Sequence, residues 1–388
     1  MEAYVRNHSV KSGNAKQNFS EINPFPHLFT IGPANRDHEV AIRCGIAVFV
    51  PLLTLLLLDR IDLAIFASFG AFTAIYGRNL DHGPRLQMQL RVGLLMTVLL
   101  LLANIAGRNG ISERENAWAL VGCTTVVAGV VAVIAAYWQL RPTGSLFQIF
   151  AFAAVASVPA QPPFIDAAIT TVATVVFALL IGVSSRVLFP KRRKPFQWPK
   201  PQVFSRAQRI QIWRNGAWHF VAAGAAGAIA ILLSPVFEMQ HNYWAMVAAV
   251  VPIVGHSTSY RISRGLQRVI GTLFGLILVA LLLLLDLEPW QLILIIAVLQ
   301  FGAEMLVARS YMIAQVVITP LALMATVLAS SAGPVALDNA QILKDRAIET
   351  AIGSTGGVIC VLLPWAWRKW VLCSDNPTQS IDLREEDS

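Results

Sequence analysis

The chain has 388 residues, of which 56% are hydrophobic and only 13% charged, with a formal net charge of +8. A soluble domain keeps roughly a quarter of its residues charged, so this composition excludes a water-facing globule and makes lipid the natural solvent. The basic residues fall between apolar runs rather than on one polar face, which excludes a nucleic-acid partner and reads as membrane topology signals.

Residues 1–38 are polar and mixed, without the apolar core of a signal peptide. They read as a cytoplasmic tail that touches the membrane around Phe25 to Phe29. A lipid-crossing helix needs about 20 mostly apolar residues, because every backbone group must be satisfied within the segment. Apolar runs near 40–58, 61–77, 90–107, 117–138, 144–160 and 164–189 predict six spans. A second set near 215–235, 242–256, 265–286, 289–308, 311–330 and 344–365 predicts six more. The fold class expected is therefore an all-α polytopic membrane protein of about twelve transmembrane helices.

With the N-terminus inside, Arg60, Arg108, Arg114, Lys344 and Arg346 are the only members of the 30 Lys and Arg residues that fall outside. That bias satisfies the positive-inside rule and places both termini in the cytoplasm of a bacterial inner membrane. The segment Pro190 to Pro201 is basic and proline-rich, and reads as the core of an extended linker over 190–214. It separates a first membrane repeat (39–189) from a second (215–368), with a cytoplasmic tail over 369–388.

The halves repeat each other. His82-Gly-Pro-Arg85 leads into Arg91-Val-Gly93, as His256 leads through Arg261 and Arg264 into Arg268-Val-Ile-Gly271. Gln148 matches Gln315, and Asp166-Ala-Ala-Ile-Thr-Thr171 matches Asp345-Arg-Ala-Ile-Glu-Thr350. All occur in the same order relative to the spans. Six is even, so the two six-helix repeats enter from the same side and are parallel, which makes their interface the expected pathway.

The cysteines Cys44, Cys123, Cys360 and Cys373 form no CxxC or Cys/His ligand spacing, and neither a metal nor another cofactor is expected. No Walker A sequence occurs, and no cluster of nucleophile and base lies within a span, so neither nucleotide hydrolysis nor another enzymatic activity is expected.

His241-Asn-Tyr-Trp-Ala245, then Arg261, Arg264 and Arg268, then Gly271-Thr272-Leu-Phe-Gly275 form a pattern with a known likeness. It resembles the fusaric acid resistance and aromatic acid exporter superfamily, to which plant aluminium-activated malate transporters are related. The resemblance covers roughly residues 38 to 370. The first half is a looser copy, with Phe69-Gly-Ala-Phe72 where Trp244 and its neighbours stand. What the resemblance implies is export of organic anions, often aromatic carboxylates.

Several residues could carry such transport. Arg268 and Arg91 stand at the inner ends of spans nine and three, where guanidinium groups could hold a carboxylate bidentately. Arg264 is a further candidate in the same basic loop. The alternative for all three is snorkelling to headgroups. Glu304 lies inside an apolar helix, where an ionised carboxylate is costly, and Gln300 shares its face. It is either the proton-coupling group or the structural partner of an arginine such as Arg309 or Arg268. Gln148 and Gln315 are candidates for substrate contacts or interhelical hydrogen bonds. Trp244 stacks on an aromatic ring or belongs to an outer aromatic belt. Arg346 reads as a local ion pair with Asp345 or Glu349, and Asp166 as a helix cap. Gly271, Gly275, Gly224 and Gly227 read as close-packing positions.

The function expected is a proton-coupled secondary exporter of small organic anions. A passive organic-anion channel and a non-transporting scaffold in envelope assembly are the alternatives. The expected partners are the anion and the bilayer, and the oligomeric state is left open.

Overall fold

The computed structural model describes residues 22–33, 35–188, 198–199, 202–239, 243–330 and 338–374, side chains of 185–188 and 368–374 apart. Most of the two predicted tails, the basic core of the linker, and His241 and Asn242 of the family motif lie outside the described residues.

Each predicted apolar run contains a helix. The first six helices are α1 (Asp37–Leu57), α2 (Ala64–Ala71), α3 (His82–Arg108), α4 (Ala117–Tyr137), α5 (Leu146–Ala156) and α6 (Phe164–Leu188). Short 3-10 turns at Ile61–Leu63 and Phe72–Ile75 extend α2 at both ends. The second six are α7 (Arg206–Phe237), α8 (Tyr243–Ala249), α9 (Thr258–Leu283), α10 (Pro289–Leu306), α11 (Tyr311–Ser330) and α12 (Asn339–Ser374). No strand occurs among the described residues.

Nine of these helices are long and apolar enough to cross a membrane. The exceptions are α2, α5 and α8, where the sequence predicts full spans. At 1.5 Å per residue, the 11 residues of α5 reach about 16 Å, half of a ~30 Å hydrocarbon core. Such pieces are tolerated where protein rather than lipid surrounds the backbone, and that is where they sit. Phe66 and Ala67 of α2, Ile149 and Ala151 of α5, and every residue of α8 are buried. The long helices instead carry exposed apolar rows at helical spacing, such as Leu94, Val98, Leu102 and Ile105 on α3. Ile165, Ile169, Val172 and Val176 form a similar row on α6. These rows suit contact with lipid chains, and the molecule is a multi-pass membrane protein.

The packing follows one scheme twice. In the first half α3 packs on α5 and α6, and α2 on α6; in the second α9 packs on α11 and α12, and α8 on α12. Between halves, α4 packs on α7 and α10 on α1, while α5 meets α8 and α11 meets α2. Small residues allow the close approaches. A Cβ on Gly271 would stand 2.5 Å from the Met312 carbonyl oxygen, and one on Gly353 only 2.0 Å from that of Ala245.

Two local features depart from the hydropathy reading. α7 starts at Arg206, ahead of its apolar stretch, because Ser205 and Gln208 form a capping box. Asp166 bonds Arg60 across 2.7 Å rather than capping α6, and Asp62 bonds the same guanidinium at 3.0 Å. Hydrogen bonds that Arg60 donates to Asp62 and then to Asp166 hold its guanidinium above the ordinary arginine range. The short helix Phe25–Leu28 lies on α9, where the Gln267 amide donates to the His27 and Leu28 carbonyls, each at 3.0 Å. Phe25 at its start and Phe29 just after its end are exposed.

Candidate functional site

A cavity of about 520 Å³ lies between the two halves. Its size falls within the range of small-molecule sites. The half-length helices shape it, since α2, α5 and α8 all contribute wall residues. One wall is aromatic: Phe69 meets Phe72 and Phe150 edge to face at 5.3 and 4.9 Å, and Phe147 meets Phe72 at 5.5 Å. The polar wall is strongly basic. Arg78, Arg141, Arg264, Arg268 and Arg346 line it, and Glu304 is the one carboxylate among the described lining residues.

The second half supplies most of that basic wall. Tyr311, the first residue of α11, serves two arginines of α9. The Arg264 guanidinium lies 3.4 Å from the centre of its ring, and Arg268 Nη1 donates to its hydroxyl at 3.1 Å. Arg268 is 3% exposed, and its Nε has no hydrogen-bond partner. The Arg346 guanidinium lies over the Trp244 ring at 3.8 Å. Arg346 is 1% exposed, and its Nε and Nη1 also lack hydrogen-bond partners. Buried donors are almost always bonded, so these orphans face a place where an acceptor belongs.

The sequence reading of Arg346 as a local ion pair is replaced by this stacking. Glu349 lies nearby but accepts the Ala245 backbone N–H at 3.3 Å, and Asp345 accepts from the Gln341 amide at 2.6 Å. Trp244 is likewise engaged, with Phe150 at 4.7 Å, Tyr243 at 4.8 Å and Arg346 over its ring. It is buried inside the bundle rather than placed in an aromatic belt.

A charge network joins the halves beside the cavity. Glu304 on α10 is paired with Arg78 of the first half, which also bonds the Glu304 carbonyl at 3.0 Å and Asp37 at 2.9 Å. Arg309 of the second half bonds the other oxygen of Asp37 at 3.1 Å. The Arg78–Glu304 and Arg309–Asp37 pairings cross between halves, and the Arg78–Asp37 pairing ties them together within the first. Gln300 donates weakly to Glu304, at 3.4 Å. The arginine that partners Glu304 is thus Arg78, in place of the Arg309 or Arg268 that sequence proximity and span depth suggested.

Of the residues singled out from sequence, Arg264, Arg268, Trp244, Gln315 and Glu304 line the cavity. Gln315 spans Thr272 and Thr319 at 3.4 and 3.3 Å. Two lie elsewhere. Gln148 is fully buried and donates to the Tyr76 hydroxyl at 2.8 Å. Arg91 is partly exposed and donates to the Trp138 carbonyl at 3.2 Å. The buried position beside it on α3 belongs to Val92. Arg78, Arg141 and Arg346 are the lining cations that sequence reasoning did not select. An arginine in the run Asp345-Arg-Ala-Ile-Glu-Thr350, where the first repeat has Ala167, was the available signal for Arg346. No group of His, Cys, Asp and Glu suited to a metal occurs among the described residues.

Comparison with known proteins finds likeness over part of the chain. An alignment at 28% identity over 173 residues covers 45% of this chain and links it to the uncharacterized membrane protein YvaC of Bacillus subtilis (strain 168). That alignment spans a quarter of the length of the curated relative. No solved structure matches. Residues 229–360, from the end of α7 into α12, match the family described as fusaric acid resistance protein-like, the likeness to which the motif from Trp244 to Gly275 points.

Proposed function

We propose that this protein is a secondary transporter that exports small organic anions, aromatic carboxylates foremost, across the bacterial inner membrane. The observation that carries the reading is the cavity between the halves, with five arginines against one carboxylate and an aromatic wall facing them. A carboxylate needs the arginines and a ring needs the wall, so one small amphiphilic anion uses both. The matched family supports membrane transport rather than enzymatic catalysis. The basic excess of the loops around Arg78, Arg141 and Arg309 supports cytoplasmic placement of that end and of both termini.

Proton coupling is assigned to Glu304. Its pairing with Arg78 supports a cycle in which proton uptake releases Arg78 and loosens the clasp between halves. Proteoliposomes of the purified protein test both parts of the proposal, with labelled 4-hydroxybenzoate presented with and without a pH gradient. Accumulation above equilibrium only with the gradient is expected. Glu304→Gln should equilibrate the label yet no longer concentrate it. Equilibration without accumulation in the wild type replaces the carrier by a channel, and absence of flux across an aromatic and aliphatic acid panel removes the transport reading.

A further inference from the structure

Among the arginines that line the cavity, two are nearly inaccessible and incompletely bonded: Arg268 and Arg346, 3% and 1% exposed. Together they leave three guanidinium nitrogens without acceptors. Arg78, by contrast, is saturated by Asp37 and Glu304, and Arg264 lies on Tyr311. Arg268 and Arg346 line the same cavity, whose one carboxylate among the described lining residues, Glu304, is held by Arg78. Two buried cations that repel each other and lack acceptors are costly unless an anion joins them.

We propose that Arg346 and Arg268 form one anion station that takes a single carboxylate, with Trp244 as a positioning residue that fixes the plane of Arg346. This deepens the transport reading above and rests on it for the identity of the occupant as cargo. Trp244 does not stack on the cargo, because Phe150, Tyr243 and Arg346 already occupy its surroundings. The ring of the cargo rests instead against Phe72 and Phe147. Arginine suits this task better than lysine, since its planar fork matches a carboxylate and stacks on an indole.

The station is tested by thermal unfolding of the full chain in detergent, with 4-hydroxybenzoate and with the uncharged 4-hydroxybenzamide. A ligand that binds only the folded state raises the midpoint with concentration. The acid should raise the wild-type midpoint and the amide should not. Arg346→Met should unfold no lower than the wild type without ligand, because one of two repelling buried cations is gone. It should lose the acid-induced rise, with affinity down at least tenfold. Arg346→Lys keeps the charge and should also lose at least tenfold.

A ligand-free midpoint of Arg346→Met several degrees below wild type, or an undiminished acid-induced rise in either variant, overturns the proposal. So does a wild type that ignores the acid or answers the amide equally. The two readings separate cleanly. Flux by Arg346→Met at the wild-type KM removes the station and leaves transport standing, whereas an acid-specific rise without any flux keeps the station and removes transport.

Discussion

In the first half α2 rests on α6 and α5 on α3; in the second α8 rests on α12 and α11 on α9. The chemistry brought to the cavity by these equivalent elements differs. The first half offers Phe69, Phe72, Phe147 and Phe150 with Arg78 and Arg141, while the second offers Trp244, Arg264, Arg268, Tyr311 and Arg346. At the position matched to Arg346 the first half has Ala167, which is fully buried. A duplicated architecture has thus kept its packing while one half supplies the phenylalanine cluster and the other three of the five lining arginines. Packing tolerates this because the close contacts use backbone and small residues, which leaves the cavity-facing positions free to diverge.

The clasp is where the halves depend on each other most, and it breaks the comparison most severely. Arg78→Met leaves the buried Glu304 carboxylate without its cation, while Asp37 keeps Arg309. Removing one partner of a buried pair costs about 3–5 kcal/mol. The expected result is a fall in unfolding midpoint of the detergent-solubilised protein, restored in large part by Arg78→Met combined with Glu304→Gln. A midpoint unchanged in the single variant would mean that the halves are held by apolar packing alone.

A smaller effect sharpens the comparison of packing. In the second half the glycine stands on α12, where a Cβ on Gly353 would be 2.0 Å from a backbone oxygen. In the first half it stands on α2, where a Cβ on Gly70 would meet the Thr174 side chain at 3.2 Å. Backbone cannot yield as a side chain can, and overpacking costs about 1–3 kcal/mol. Gly353→Ala should therefore lower the midpoint by several degrees and Gly70→Ala by less than half as much. Equal falls would show that the first half is packed as rigidly as the second.

Much of this was legible in the sequence because lipid imposes strict rules. Every apolar run holds a helix, and a polar group in such a run has to face protein. That logic brought Glu304, Gln315, Arg268 and Trp244 to one cavity. What escaped is what hydropathy does not encode. An apolar run looks the same whether the backbone crosses the membrane or stops halfway, so α2, α5 and α8 read as full spans. The partner of Glu304 is 226 positions away in the chain. Arg309, only five positions along, bonds Asp37 instead. Arg346 was hidden by its neighbours Asp345 and Glu349, which made an ion pair the simplest reading.

The arginines on α3 and α9 give the finest test of asymmetry between the halves. Repeat matching pairs Arg91 with Arg268, but successive residues on a helix point about 100° apart. A match that slips by one position exchanges a buried side chain for an exposed one. Val92 is fully buried and Arg91 bonds the Trp138 carbonyl, so the first half has no counterpart of Arg268 in the cavity. Under the transport reading, Arg268→Gln should cut 4-hydroxybenzoate uptake at least tenfold, equivalent to about 1.4 kcal/mol of lost interaction. Arg91→Gln should stay within twofold of the wild type. Equal losses would mean that both matched arginines meet the anion at some point in the cycle. Unequal losses would mean that the duplicated fold carries its cargo by the chemistry of one half against the shape of the other.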